Sequence, residues 1–336
     1  MTADLDDVER LAVATAARVR AAVAPMLGRP GARVRVGVAP GGDTTMAIDE
    51  VAERVVSECL AEAGDVAFYS EDQGYVAFGR PRAIFVVDPV DGTRPAAAGL
   101  ESCCVSIAVV PPDPGATLGD VVYGVVQELK QGLRFSARRG GGVRVEYPDG
   151  TEHPVALSPN VDLRSLFWTA GLRGRPAVPM AVALEELIDG SSMRGGFFDL
   201  GSATFDMTRI VTGQLDAYVD IGRRVVDELP HTEPLFRAVG EGAVCTNFPY
   251  DVAAAALILR EAGGVVTLAD GRSIDDHPAV GSGDGYGIAV LAAASGPLHD
   301  LLLAAVERGM ARLRARLAGA VGDGARGVPG AGTTPP

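Results

Sequence analysis

Several kinds of residue and sequence pattern are scarce in this chain, and each absence excludes some classes of function. The 336 residues include four cysteines and four histidines, and their spacing matches neither a zinc site nor a redox-active CxxC motif. Lysine and arginine number 30 against 43 acidic residues, which gives a net charge of −13. Because nucleic acids and anionic membranes bind basic surfaces, we expect neither as a partner.

Long apolar runs are also missing. No run approaches the roughly 20 residues that a membrane-spanning helix needs. The N-terminus is acidic and lacks the basic and apolar regions of a signal peptide. We therefore expect a cytoplasmic location. The content of hydrophobic residues is 47%, enough for a sizeable core in one large or two medium domains.

Hydrophobic patterning divides the chain into two halves and a tail. Residues 1–154 predict helices over Leu5–Leu27 and Met46–Ala63 and then several strands, an α+β domain. Residues 155–321 alternate strands with helices, which predicts an α/β domain. Residues 322–336 are rich in glycine, proline and threonine and are predicted to be disordered. The predicted fold class is α/β, with an α+β N-terminal half.

The most informative motif is Asp88-Pro89-Val90-Asp91-Gly92-Thr93, which follows the apolar run Ala83–Val87. The run predicts a buried strand. Because proline has no N–H for a sheet, we expect the strand to end at Asp88 and a turn to follow. Gly92 would let the backbone approach a ligand. The alternative is an ordinary surface turn, since Asp, Pro and Gly are common turn residues.

Other acidic residues stand at the ends of predicted elements. Glu71-Asp72 follows the predicted strand Val66–Tyr69, and Asp251 begins a late helix. Asp49 falls in the first helical turn of Met46–Ala63, where an acid also favours the helix dipole. Clustered carboxylates repel one another unless a cation lies between them, and oxygen ligands suit Mg²⁺. Paired Mg²⁺ ions are a common device for phosphate hydrolysis.

Four motifs in order resemble those of the inositol monophosphatase superfamily, between about Leu11 and Leu317: Ser-Glu-Asp, Asp-Pro-Val-Asp-Gly-Thr, Gly-Ser-Ala and Tyr-Asp-Val-Ala-Ala-Ala. This superfamily comprises Mg²⁺-dependent, lithium-sensitive phosphatases, including fructose-1,6-bisphosphatases and phosphoadenosine phosphatases. The resemblance implies a layered αβαβα fold and a phosphoric monoester hydrolase for small phosphorylated metabolites. It also implies in-line attack by a metal-activated water, two Mg²⁺ ions per chain with a weaker third, and a homodimer.

The resemblance also implies roles for individual residues. The implied metal ligands are Glu71, Asp88, the Val90 carbonyl, Asp91 and Asp251. The implied catalytic residues are Asp49, Glu71 and Thr93, and Asp72 would help Glu71 to hold a third ion. The implied substrate-binding residues are Gly92, Thr93, Gly201, Ser202, Ala203 and Asp220.

The 28 residues from Arg223 to Tyr250 depart from the family pattern, and Tyr250 stands where tryptophan is usual. We interpret the segment as a lid in which Arg223 or Arg224 grips a second anionic group of the substrate. The alternative is a surface excursion. Two further functions stay open: a sugar bisphosphatase or nucleotide 3′-phosphatase, and a catalytically weak protein that binds a phosphorylated ligand.

Overall fold

A computed structural model describes residues 2–39, 42 and 44–324. This part of the chain contains nine α-helices: α1 Thr2–Val23, α2 Ala47–Ala63, α3 Thr93–Ala98, α4 Ala177–Ser191, α5 Ala203–Val211, α6 Gly222–Glu228, α7 Glu233–Val239, α8 Pro249–Glu261 and α9 Gly296–Gly324. Short 3₁₀ turns lie at Ala24–Met26, Pro30–Arg33, Leu118–Asp120, Leu163–Ser165 and Pro230–Thr232. None of the described helices combines the length and the hydropathy required to cross a membrane.

The strands of the described residues form three sheets. They are β1 Arg35–Val38, β2 Thr44–Met46, β3 Val66–Ser70, β4 Gly74–Phe78, β5 Ile84–Asp91, β6 Cys104–Val110, β7 Tyr123–Glu128, β8 Arg134–Arg138, β9 Val143–Glu146, β10 Phe167–Ala170, β11 Gly196–Phe198, β12 Ala217–Asp220, β13 Val265–Leu268 and β14 Val290–Ala293. Strands β1 and β2 pair with each other as a small antiparallel sheet.

The larger sheet has the order β4-β3-β5-β6-β7-β8-β9 among the described residues. Strands β3 and β5 are parallel, and the other neighbours are antiparallel. Ser70 of β3 pairs with Val87 of β5. The residues that follow them, Glu71 and Asp88, therefore lie at the same edge of the sheet, as the sequence predicted.

The second sheet has the order β11-β10-β12-β14-β13 in the described part of the chain. Strand β10 is parallel to β11 and to β12, whereas β14 is antiparallel to β12 and to β13. This mixed sheet carries the alternating strands and helices predicted for the C-terminal half.

Successive side chains of the buried strands point to opposite faces of the sheet, and a different set of helices packs against each face. In β5, Phe85 and Val87 pack in a core with α1 and α2, and Ile84 and Val86 pack in a second core with α5 and α8. The second core also reaches one face of the five-stranded sheet, whose other face packs against α4 and α9. The layers are therefore αβαβα, as the resemblance implied. The division into domains at residue 154 stays a prediction.

The end of the central strand was predicted wrongly. Strand β5 continues to Asp91, and its pairing with β6 is irregular between Asp88 and Asp91. This bulge accommodates Pro89, which has no N–H to give to the ladder. Residues three apart in a regular strand point to opposite faces, so the bulge is what lets both aspartates face one cavity.

The predicted lid and tail also need correction. The segment that follows Asp220 forms α6 and α7, and its Val225 and Phe236 are fully buried in the core beside α4 and α9. Helices α6 and α7 are therefore a folded part of the C-terminal layers and not a surface excursion, and the selection of substrate by this segment stays a prediction. Helix α9 runs to Gly324, so residues 322–324 are helical, and residues 325–336 lie outside the described part of the chain.

Candidate active site

Three aspartates meet where β5 ends and α8 begins. Asp88, Asp91 and Asp251 each contribute a carboxylate oxygen, and these oxygens lie within 4.8 Å of one another. They line a cavity together with Glu71, Asp199 and Asp206, which we call the acidic cavity. The sequence predicted all three as metal ligands, and the structure brings them together across 163 residues of chain.

Each aspartate of this trio is oriented by one backbone N–H. Val90 donates to Asp88 (2.9 Å), Thr204 at the start of α5 donates to Asp91 (2.7 Å), and Phe248 at the start of α8 donates to Asp251 (2.6 Å). Two helix N-termini therefore hold these carboxylates in place, and a charge-assisted hydrogen bond fixes each side chain before any ligand arrives.

The cluster is electrostatically costly without a cation. Burial raises the pKa of Asp88 well above its usual range, and the charges of Asp91, Asp251 and Glu71 raise it further. Burial, followed by the charge of Asp91, raises the pKa of Asp251 to about 8. A divalent cation between the carboxylates would relieve this repulsion, and the all-oxygen donor set fits Mg²⁺. The residues present therefore fit the implied metal.

Thr93 and Asp49 form the implied pair. The hydroxyl of Thr93 lies 3.0 Å from Oδ1 of Asp49 and 3.1 Å from the Val90 carbonyl oxygen, both of which it can donate to. The other oxygen of Asp49 accepts the N–H of Met46 (2.8 Å), and Asp49 lies in the first turn of α2 as expected. The two oxygens serve different partners, and the catalytic role of Asp49 stays a prediction.

Glu71 lines the acidic cavity on the turn after β3. The turn is fixed by Glu53, which the sequence analysis missed: Glu53 accepts the Ser70 hydroxyl (2.8 Å) and the Asp72 N–H (3.2 Å). Burial raises the pKa of Glu53 to about 7. Its position four residues after Asp49 places both on one face of α2, and this spacing was the available signal.

The glycine and serine predicted to bind substrate also line the cavity. Gly92 adopts φ +89°, and a Cβ there would lie 2.4 Å from the Ser102 carbonyl oxygen, so only glycine fits. Gly201, Ser202 and Ala203 also line the cavity, with Ser202 packed close to Gly92. The Ser202 hydroxyl caps α5 by accepting the N–H of Phe205 (3.1 Å).

Asp220 does not line the acidic cavity. It is fully buried at the end of β12 and forms an ion pair with Arg175. It also accepts an N–H from the Asn247 side chain (2.8 Å) and the N–H of Gly222 (2.9 Å). Its oxygens are engaged by the protein, so this geometry does not support the predicted contact of Asp220 with substrate hydroxyls.

Arg223 and Arg224 are likewise absent from the lining of the acidic cavity and line a separate depression beside Asp270 and His277. Arg224 is buried in ion pairs with Glu228 (2.6 Å) and Glu307 (2.5 Å). Helix α6 directs Arg224 toward Glu307 of α9, whereas Arg223 pairs with Asp227 on α6 itself (2.8 Å). If a side chain binds a second anionic group of the substrate in this cavity, it must be a residue other than Arg223 or Arg224.

Arginine does line the acidic cavity, on the loop between β10 and α4. Arg173 is partly buried there, and its charge acts to lower the pKa of Asp91 and of Asp251 against the larger raising effect of burial. Nη1 of Arg175 donates to the Arg173 carbonyl (2.9 Å) and so braces this loop. The sequence analysis missed Arg173. The segment Gly171-Leu172-Arg173-Gly174-Arg175 follows a predicted strand, and its two arginines between glycines could have indicated an anion-binding loop.

Comparison with protein families gives one match over most of the chain. The sequence model described as the inositol monophosphatase family matches residues 4–311. A fructose-1,6-bisphosphatase/inositol-1-monophosphatase of Methanothermobacter thermautotrophicus is 27% identical over 79% of this chain and 85% of its own length. The inositol-1-monophosphatase SuhB of Mycobacterium tuberculosis is 29% identical over 89% of this chain and 92% of its own length.

Solved structures share the fold. The extragenic suppressor protein SuhB from Bartonella henselae has a TM-score of 0.67 at 21% identity, covering 90% of this chain and 99% of that one. Mycobacterium tuberculosis SuhB has a TM-score of 0.61 at 24% identity, covering 91% and 97%. At these sequence identities, the similarity to the solved structures establishes the layered fold and nothing about function.

Proposed function

The chain belongs to the inositol monophosphatase family and is a metal-dependent phosphoric monoester hydrolase that acts on phosphorylated metabolites; we propose that its metal is Mg²⁺ and that its substrate carries a second anionic group. The observation that carries the metal proposal is the trio of buried, mutually repelling carboxylates Asp88, Asp91 and Asp251. We propose two ions, one held by Glu71, Asp88 and the Val90 carbonyl, and one held by the trio. A weaker third ion would lie near Glu71 and Asp72.

When bound, the Mg²⁺ ions would supply positive charge for the phosphate oxygens and lower the pKa of water. The residues of the chain would do the rest. When Thr93 donates its proton to Asp49, its oxygen would accept a hydrogen bond from a water and so orient it. Gly92 and Thr93 line the cavity, and their backbone N–H groups would donate to the phosphate.

The proposal of a doubly anionic substrate rests on Arg173. Arg173 lines the acidic cavity, and its charge acts on Asp91 and Asp251 of the trio. An anion held there would stand next to the reacting phosphate, and arginine can grip a phosphate or carboxylate with two N–H groups. The implied hydroxyl-binding residue Asp220 is meanwhile engaged by Arg175. Both features favour a bisphosphate over an inositol monophosphate.

The remaining finer points rest on the family. We propose that lithium inhibits the enzyme, that the enzyme is a homodimer, and that it works in the cytoplasm. A nucleotide 3′-phosphatase is the second candidate, because such a substrate also presents two anionic groups to the Arg173 wall.

The test measures phosphate release from fructose 1,6-bisphosphate, myo-inositol 1-phosphate and a nucleoside 3′,5′-bisphosphate, with Mg²⁺ and with excess chelator. We expect turnover only with Mg²⁺ and a higher kcat/KM for one of the two bisphosphates. Arg173→Gln should lower that kcat/KM about tenfold or more, the value of a charge-assisted hydrogen bond, and change inositol 1-phosphate hydrolysis less. Arg223→Gln, outside the cavity, is the matched control.

Three outcomes would contradict parts of this proposal. Full activity in chelator would exclude the metal mechanism. Equal losses for all substrates in Arg173→Gln would mean that Arg173 serves the reacting phosphate alone. A selective loss in Arg223→Gln would restore the sequence-based assignment of the anion grip.

A further inference from the structure

The hydroxyl of Tyr250 is an exception among the polar groups of the core. Tyr250 is the second residue of α8, directly before Asp251, and its side chain is 1% exposed. Its hydroxyl has no hydrogen-bond partner among the described residues. Buried polar groups are nearly always hydrogen-bonded, and an exception in a native protein often marks a missing water or ion.

The ring of Tyr250 is held rigidly. It stacks on Tyr69 (centroids 6.5 Å apart, planes at 15°) and packs against Phe248 (centroids 5.6 Å apart). The Tyr250 carbonyl also accepts the hydroxyl of Ser106 (3.0 Å). The ring therefore cannot turn easily to bring its hydroxyl to another partner, and the position of the oxygen is fixed by the core.

That position is at the acidic cavity, which Tyr250 lines. Burial raises the pKa of the phenol, and the charges of Glu71, Asp251 and Asp88 add to the effect, in that order. The hydroxyl therefore belongs to a cavity lined by three acceptors, Glu71, Asp88 and Asp251, yet it bonds to none of them. Tyr69, on the same core, differs: its hydroxyl donates to Ser282 (2.7 Å).

We propose that the Tyr250 hydroxyl donates a hydrogen bond into the coordination shell of the divalent cation held by Glu71 and Asp88. Tyr250 is then a positioning residue of the metal site, and its oxygen gains its partner only when the ion and the ligands around it are in place. The role belongs to this chain, because a tryptophan at the same position carries no hydroxyl. The inference rests on the proposed function only in that the cavity must bind a divalent cation.

The test compares the intact wild-type chain with Tyr250→Phe, which removes one oxygen atom and keeps the ring. Mg²⁺ affinity is measured by titration calorimetry without substrate, and thermal unfolding is measured in chelator. Loss of an outer-shell partner typically weakens metal binding by about tenfold or more. We therefore expect the Kd for Mg²⁺ to rise about tenfold, whereas the metal-free melting temperature stays the same or rises, because an unpaired buried hydroxyl has been removed.

Tyr69→Phe is the matched control. It removes a hydroxyl that already has a protein partner, so we expect a lower metal-free melting temperature and an unchanged Kd for Mg²⁺. The pattern of opposite effects in two stacked tyrosines separates metal positioning from packing.

The outcomes are distinct. An unchanged Kd in Tyr250→Phe would overturn the proposal while leaving the metal site intact. A metal-free melting temperature that falls as far as in Tyr69→Phe would show that the Tyr250 hydroxyl has a partner within the protein, which also overturns it. No binding of Mg²⁺ by the wild type would instead refute the proposed metal.

Discussion

Replacing Asp251 by asparagine should stabilise the metal-free protein while abolishing most of its activity. Asparagine has the same shape, and its Oδ1 can still accept the N–H of Phe248 that Asp251 accepts now (2.6 Å). What it removes is a negative charge beside Asp91 and Asp88. The substitution therefore isolates the electrostatic cost of the cluster from the packing around it.

The size of the effect follows from the pKa of Asp251, about 8 in the folded chain against an ordinary value of 3.8. A carboxyl with a raised pKa favours folding below its ordinary pKa, and this advantage is lost as pH rises toward the folded value. At pH 7, about three pH units above the ordinary value, the loss is up to about 4 kcal/mol at about 1.36 kcal/mol per unit. At pH 5 it is up to about 2 kcal/mol by the same arithmetic.

The assay is urea unfolding in excess chelator at pH 5, 6, 7 and 8.5, for the wild type and Asp251→Asn. We expect the variant to be more stable, with an advantage that grows with pH and levels off above about pH 8. In saturating Mg²⁺ the order should reverse, because the variant loses a ligand. Asp300→Asn, with a side chain that is 85% exposed, is the control and should change little. An advantage that is absent or independent of pH would refute the electrostatic reasoning.

Two further predictions test the water-orienting pair and the folded insertion. Thr93→Ala should lower kcat about a hundredfold with little change in KM, because the hydroxyl that bonds Asp49 acts mainly in the transition state. Thr93→Ser keeps this hydroxyl and should retain activity. A rise in KM alone would make Thr93 a substrate-binding residue. Phe236→Ala should destabilise the protein by about 3–5 kcal/mol, because the Phe236 ring is fully buried. Leu235 is 48% exposed, so Leu235→Ala should change the stability little. Equal effects of the two substitutions in urea unfolding would mean that α7 is not part of the core.

The sequence was sufficient to place acidic residues at the ends of elements, because local patterns determine where strands and helices end; their grouping as metal ligands was implied by the family resemblance. Asp88 follows a run of five apolar residues, and Asp251 stands at the start of a very apolar helix. Parallel neighbours such as β3 and β5 bring their carboxyl ends to one edge, so Glu71 and Asp88 could be placed together without knowing the rest of the fold. Local rules were enough wherever the partner was a neighbouring strand.

The same rules failed where a long-range contact decides what a side chain can do. Asp220 was assigned to substrate because the family resemblance implied that role, but Arg175, 45 residues earlier, forms an ion pair with it. The bulge at Pro89 is decided by pairing with β6, which the motif alone does not specify. Helices α6 and α7 have seven residues each, too short for a clear helical period, although Val225 and Leu229 are spaced as one helix face.

The pairing of Asp220 with Arg175 bears on which substrate this cavity can accept. A free carboxylate at the end of β12 would accept hydroxyl protons from a polyol, but it would repel a second phosphate placed beside it. The ion pair cancels that charge and removes the acceptor at the same time. Arg175 also donates to the Arg173 carbonyl, so one residue both engages Asp220 and supports the loop that carries Arg173, for which we propose anion binding. This coupling is the physical reason to expect selection for a doubly anionic substrate.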